Sequence, residues 1–269
     1  MGVTKNLVLG GSGTIGSALC KYLVSQGEQV TNLDVKEGND LCDMDMTPYA
    51  GHDFAWFLAW DVGGAKYLSE AGFQHSMMMN NARICTNVFS FLEKTKMPFL
   101  FTSSQLAAPD NTYGVTKLMG ERWTHLLNGI TVRLWNVYGW EEPGTKSHVI
   151  PDLVIQAMTQ GKITLMTDGE EERQFIFMND CVQNFGRIRK SGEKIVHLTN
   201  GEWIKIIDIA RVVGKLLNVE VIAGNKKGYQ NKIEPDPAYK NYPWETSLEK
   251  GIQFIMEKAH QYLTVKSAK

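Results

Sequence analysis

The 269-residue sequence predicts an α/β protein built on a doubly wound parallel sheet with a smaller C-terminal lobe, and three observations carry that prediction. Short strands that are apolar throughout alternate with helical stretches over the first half, the pattern of a sheet covered on both faces. A glycine-rich turn lies between the first strand and the first helix. Beyond Tyr138-Gly139 the alternation breaks, and Gly, Pro and charged residues cluster from Trp140 to Lys146, as a connection into a second lobe requires.

The elements follow in order. Asn6 to Leu9 is the first strand, and Ile15 to Ser25 is a helix with Ile15, Leu19, Tyr22 and Leu23 along one side. Gln29 to Leu33 and Phe54 to Ala59 read as the second and third strands. Helices over 75–95 and 113–127 flank a strand from Pro98 to Thr102, and Ile130 to Leu134 follows. A late apolar run, Lys194 to Thr199, returns to the main sheet in this reading. The division expected is a first domain over 1–139, joined by 194–201, and a lobe formed mostly by 140–269.

Composition limits the function. With 43% hydrophobic and 21% charged residues and a formal net charge of −1, the chain is globular and lacks the basic stripe of a nucleic-acid partner. Its four cysteines, Cys20, Cys42, Cys85 and Cys181, are scattered without metal-ligand spacing, so no metal site is expected. No apolar run is long enough for a membrane span. A reduced, cytoplasmic setting is the expectation.

Gly10-Gly11-Ser12-Gly13-Thr14-Ile15-Gly16 places glycines where a tight turn, a pyrophosphate and a packed helix each demand the absence of a side chain. The following helix offers free N–H groups and a positive pole to phosphates. Asp34 ends the second strand about twenty residues on, where an acid hydrogen-bonds the ribose hydroxyls and repels a 2′-phosphate. A Rossmann-type domain that binds NAD is implied. Lys36, close by, is a cation that could tolerate the extra phosphate of NADP.

Tyr113-Gly114-Val115-Thr116-Lys117 opens a helix, so Tyr113 and Lys117 lie one turn apart on one face. On its own, such spacing is common on helix surfaces. Here it follows a dinucleotide turn and a strand ending in Ser103-Ser104, the edge at which a parallel sheet places its reacting groups. An adjacent ammonium and an oxidised nicotinamide together favour the phenolate. About 4 kcal/mol of such stabilisation brings a phenol from its ordinary pKa near 10 into the neutral range. Tyr113 is then a base for a substrate hydroxyl, with a serine holding the reacting oxygen.

At this point the residues resemble the extended short-chain dehydrogenases/reductases that epimerise or dehydrate nucleotide sugars, over nearly the whole chain. Gly10 to Gly16, with Thr14 and Ile15, matches their glycine loop, and Asp40-Leu41 is similar to their adenine-contacting pair. Leu58-Ala59-Trp60 resembles the Leu-Ala-Ala strand end beside the cofactor, and Asn81 and Asn87 fit an Asn-containing helix. The resemblance singles out Ser104 as catalytic with Tyr113 and Lys117. It implies that Asn136, within Arg133 to Gly139, and Arg173, after Asp168-Gly169, contact the substrate, and it matches Pro243 to Gly251 to the closing tail. Ser147 to Pro151 is similar to the His-Val-Ile-Pro segment of GDP-fucose synthases, which makes His148 a candidate acid/base. The position of that enzyme's partner cysteine is Leu106 here. Gln105 and Leu106 stand where dehydratases carry Asp-Glu, which disfavours a 4,6-dehydratase.

The resulting expectation is an NAD-dependent epimerase of a nucleotide-diphosphate sugar acting by transient oxidation through Ser104, Tyr113 and Lys117. The alternatives are an NAD(P)H-dependent reductase of a 4-keto nucleotide sugar and a non-catalytic dinucleotide-sensing regulator. Relatives dimerise through the two helices near 75–95 and 113–127, and Met77, Met78, Phe89 and Leu92 give the first of them a wide apolar surface, so a homodimer is expected. Loops 139–150 and 223–242 are the expected determinants of sugar choice.

Overall fold

A computed structural model describes residues 2–229 and 242–267; of the loop 223–242, residues 230–241 lie outside that range. The first half runs β1 (Lys5–Leu9), α1 (Thr14–Ser25), β2 (Gln29–Leu33), β3 (Phe54–Phe57), α2 (Ala65–Ser69), α3 (Gln74–Thr95), β4 (Phe99–Ser104), α4 (Thr112–Leu126) and β5 (Ile130–Leu134). The second half adds β6 (Asn136–Tyr138), α5 (Val149–Gln160), β7 (Lys162–Thr164), β8 (Glu172–Phe177), α6 (Met178–Arg189), β9 (Ile195–Leu198), β10 (Trp203–Lys205), α7 (Ile206–Leu217), β11 (Glu220–Ile222) and α8 (Leu248–Ser267).

The main sheet has six parallel strands in the order β2-β1-β3-β4-β5-β9. Alternate residues on each strand serve opposite layers. Val8, Trp56, Leu100 and Val132 pack against Leu19 and Leu23 of α1 and Phe185 and Ile188 of α6. Leu7, Leu9, Phe57 and Phe101 pack against Val88, Phe89 and Leu92 of α3. This double burial is why the strands are apolar without alternation. The strand order reverses at β1, which leaves a crevice beyond the C-terminal ends of β1 and β3, where open α/β sheets bind ligands.

The rest of the chain forms a second core. Tyr138, Ile150, Val154, Phe175, Ile209, Val213, Ile252 and Ile255 are buried together around a three-stranded sheet β10-β8-β6 and the pair β11-β7. The two cores interleave in sequence, since α6 and β9 lie beyond residue 139 yet belong to the main sheet and its cover. The tail is bound to the body: Asn184 Nδ2 donates to the Pro243 carbonyl at 2.7 Å, and the Thr246 amide to Asp180 at 3.0 Å.

Three expectations need correction. The third strand ends at Phe57, because the Leu58 and Ala59 amides both turn to the Leu9 carbonyl. The three-residue β6 was not anticipated; it is too short to show a period. Of the four apolar residues that widened the surface of α3, Met77, Phe89 and Leu92 are buried within the chain and only Met78 is exposed, with Met79 beside it. Among the described residues no helix is long and apolar enough to cross a membrane, and no cluster of His, Cys, Asp and Glu suits a metal ion.

Candidate active site

The glycine loop bridges β1 and α1 with its backbone pressed against neighbours. Gly10 has φ +91°, a left-handed conformation that favours glycine, and a side chain there would come within 2.7 Å of the Ala59 amide nitrogen. At Gly16 a Cβ would lie 2.1 Å from the Gly10 carbonyl oxygen. The loop is also fastened to the end of β2. Asp34, which is buried, accepts the Ser12 amide at 2.9 Å and the Lys36 amide at 2.9 Å. Asn32 donates to the Ser12 hydroxyl, and that hydroxyl to Glu37. Lys36 is drawn onto the Ser12 carbonyl at 3.1 Å. A cradle that a single Cβ would fill, at a helix N-terminus and beside two carboxylates, fits NAD.

Asp40 accepts the Cys42 amide at 2.9 Å and is exposed, whereas Leu41 is buried among Leu33, Met46 and Phe89. Leu58 and Ala59 lie beside the glycine loop at the end of β3. Asn81 is completely buried. Its Oδ1 accepts the Asp61 amide at 2.7 Å and its Nδ2 donates to the Asp61 carbonyl at 3.1 Å. Asn81 therefore braces the backbone that follows β3, and its amide group does not face an open cleft.

Ser104, Tyr113 and Lys117 are brought together at the end of β4. The two serines there are separated by strand alternation. Ser103 donates to Glu121 at 2.5 Å, and Glu121 is held by Arg133 through bonds of 2.7 and 2.6 Å. Ser104 instead accepts the Leu106 amide at 3.1 Å, and its hydroxyl acts on the Tyr113 phenol, lowering the phenol's pKa. Tyr113 sits in the first turn of α4, which Asn111 caps by accepting the Gly114 amide at 2.7 Å. Gly114 lets the Leu106–Ala108 backbone approach this turn, and Gly120 lets α4 close on the Phe101 ring.

Lys117 donates to the Thr102 carbonyl at 2.7 Å, with Nζ 4.2 Å from the Trp60 ring centroid and 4.9 Å from that of Phe101. Burial pushes the Tyr113 phenol up to about 12, opposed only by the Ser104 hydrogen bond. Burial likewise pulls Lys117 down to about 7, against the attraction of Cys85 and Glu121. For the phenol, desolvation outweighs the Ser104 contribution, so the chain's own residues leave Tyr113 protonated.

The loop after β6 closes toward this region. His148 caps α5, and its Nδ1 lies 2.8 Å from Glu141 Oε2. Burial lowers its basicity, but the Glu141 carboxylate overrides burial and raises the imidazole pKa. Glu141 also accepts the Thr14 hydroxyl at 3.2 Å. Lys146 reaches Asp61 at 2.6 Å, and Asp61 in turn accepts from Tyr67 and Asn80. Sequence reasoning missed Glu141, Asp61 and Lys146; no motif marks them, and only the fold joins them. Asn136 donates to the Gln174 carbonyl at 2.9 Å. Arg173 donates to the carbonyls of Glu172 and Tyr229. In the structure both tie the second lobe together. Cys85 is buried in the core, its thiol pushed up to about 12 by desolvation.

Comparison with known proteins agrees with this geometry. The chain is 27% identical over 197 residues to an uncharacterized UDP-glucose epimerase of Bacillus subtilis, a match covering 70% of this chain and 59% of that protein. It is 30% identical over 120 residues to a dTDP-4-dehydro-6-deoxy-D-allose reductase of Streptomyces bikiniensis, over 40% of this chain and 36% of the other. The matches thus span less than two thirds of either relative. An epimerase of Methanothermobacter thermautotrophicus has the same fold, with a TM-score of 0.83 at 19% identity over 98% of this chain and 94% of that one. Residues 6–200 match the model of the NAD dependent epimerase/dehydratase family. A chain matched over most of its length by that model, with the glycine loop and the Ser-Tyr-Lys group in place, belongs to the NAD dependent epimerase/dehydratase family.

Proposed function

We propose that the chain is an epimerase of a nucleotide-diphosphate sugar that acts by transient oxidation to a ketosugar. The observation that carries this reading is the meeting of Ser104 and Tyr113 beside Lys117 at the C-terminal end of β4, next to the switch point of the sheet. The glycine loop, Asp34, Leu58 and Ala59 hold the cofactor in this reading, with Asn81 acting through the Asp61 backbone. NAD, when bound, supplies a reversible hydride acceptor and a positive ring. Asp34 and Glu37 beside Ser12 disfavour a 2′-phosphate, which supports NAD over NADP.

Tyr113 takes the proton of the substrate hydroxyl and returns it, and Ser104 holds the reacting oxygen. Lys117 supplies positive charge to the phenol. Asn136 and Arg173 border the lobe that receives the nucleotide. His148, paired with Glu141, is a second acid/base at the far side of the cleft. The domain division at residue 139, dimerisation through α3 and α4, and a cytoplasmic setting belong to the same reading.

The test is incubation of the purified chain with a panel of nucleotide-diphosphate sugars. The expected product has unchanged mass and altered stereochemistry, and Tyr113→Phe abolishes it. Consumption of one NAD(P)H per 4-keto sugar, with no isomer formed, would replace this reading by the reductase.

A further inference from the structure

Lys117 is buried, with 3% of the residue's surface exposed, and among the described residues no carboxylate lies within ion-pair distance of its ammonium. Its surroundings can be named from every side. β4 offers the Thr102 carbonyl at 2.7 Å and the Phe101 ring. α4 offers the Tyr113 ring, 5.8 Å from Nζ, and Glu121, whose carboxylate is engaged by Arg133 and Ser103. α3 offers Cys85, whose thiol burial pushes up to about 12 against the attraction of Lys117. The remaining side is the face of Trp60, the nearest ring at 4.2 Å.

Trp60 is itself fixed. Its Nε1 donates to the Thr116 hydroxyl at 3.2 Å, and that hydroxyl donates to the Tyr113 carbonyl at 2.8 Å. Its ring meets the Phe101 ring at 5.3 Å and the Phe57 ring at 5.9 Å. Asn81 clamps the next residue, Asp61, through both its amide and its carbonyl. The ring is thus bound to the same turn of α4 that carries Tyr113 and Lys117. At this strand end, where the resembling family has Leu-Ala-Ala, an alanine could make none of these contacts.

We propose that Trp60 is a positioning residue for the Tyr113–Lys117 pair, its indole face stabilising the Lys117 ammonium in a place where no carboxylate pairs with it directly. The negative face of an indole attracts a cation within about 6 Å of its centroid, and most strongly when water is excluded. The interaction opposes the desolvation that otherwise favours the neutral amine. The inference rests on the reading of Lys117 as the partner of Tyr113 and adds the group that keeps Lys117 charged.

The test is an NMR titration of the Lys117 side chain in ¹⁵N-lysine-labelled protein, for the wild type, Trp60→Met and Trp60→Phe. Methionine is apolar but has no ring face; phenylalanine retains one. In Trp60→Met the titration midpoint falls by about one pH unit, a tenfold change in the dissociation constant, and Trp60→Phe recovers most of it. An unchanged or higher midpoint in Trp60→Met overturns the proposal, because the indole would then act only by excluding water. In the wild type, the Trp60 indole N–H signal titrates with the Lys117 midpoint; a signal insensitive to that ionisation overturns the proposal without any variant having to fold. Neither titration needs a substrate, so loss of the epimerase reading and loss of this inference are separate results.

Discussion

Glu141 Oε1 accepts a hydrogen bond from the Thr14 hydroxyl at 3.2 Å across 127 positions of sequence, joining the loop after β6 to the first residue of α1. A carboxylate there is favoured by the positive pole of the helix. The same pole attracts a pyrophosphate, so Glu141 and the cofactor's phosphates repel each other. Glu141→Gln keeps the shape and removes the charge. It should tighten dinucleotide binding about two- to fivefold, the effect of one charge near a helix end, as read by calorimetry. Weaker binding by the variant would mean that Glu141 orders the loop for the cofactor.

The same carboxylate sets a pH dependence. The folded-state pKa of His148 is raised by Glu141 over the opposing effect of burial. A raised pKa contributes stability that is fully present below the ordinary imidazole value of about 6.5 and is lost as pH rises through the folded value. With 43% of the His148 side chain exposed, solvent screening limits the contribution to less than about 1 kcal/mol. Melting temperatures of wild type and Glu141→Gln should differ most near pH 5.5 and converge toward pH 8. A gap that widens with pH would contradict the assigned sign.

Tyr113 should be silent as a phenolate in the free chain. Burial holds its phenol at about 12. The difference in absorbance at 295 nm between wild type and Tyr113→Phe should therefore stay flat through neutral pH. Saturation with NAD should bring the transition down toward neutrality, since a positive ring adds the stabilisation that Lys117 alone does not give. A neutral-range phenolate without cofactor would show that the chain's own residues are sufficient.

Stability rests in part on a polar cluster at the opposite end of the sheet. Asn6, completely buried, accepts from Trp56 Nε1 at 2.9 Å and from Arg189 at 3.1 Å and donates to Glu28 at 2.8 Å. Arg189 grips Glu28 at 2.6 and 2.8 Å and holds its carboxyl below the usual range. Arg189→Ala leaves the partly buried Glu28 without its cation and should cost about 1–2 kcal/mol in chemical denaturation, between a surface pair and a fully buried one. Arg211→Ala, which breaks an exposed i,i+3 pair with Asp208, should cost less than about 0.5 kcal/mol. Equal losses would mean that the inner cluster is as well solvated as the surface pair.

The parts of the fold that show in the sequence are those where geometry forbids other residues. Gly10 and Gly16 admit no side chain, and Tyr113 and Lys117 must be one helical turn apart, so each is readable locally. Strands buried on both faces are equally plain, as Phe54 to Phe57 illustrates. What stayed hidden depends on contacts between distant segments. Trp60 and Phe101 meet Lys117 only through the sheet, and Glu141 meets Thr14 only when the loop after β6 folds back. The family resemblance implies that Asn136 and Arg173 contact the substrate; in the folded chain their donors meet backbone carbonyls of the second lobe. The sequence position of an amide does not say whether its partner is a ligand or a carbonyl.

In the proposed epimerase cycle the chain holds NAD and recycles it within each turnover. The most direct measurement is to denature freshly purified protein, identify the released dinucleotide by mass spectrometry and count moles per chain. The expected release is NAD, with at most traces of NADP, approaching one mole per chain. An empty chain that binds and exchanges NADPH would contradict it, removing both the role given to Asp34 and the epimerase cycle.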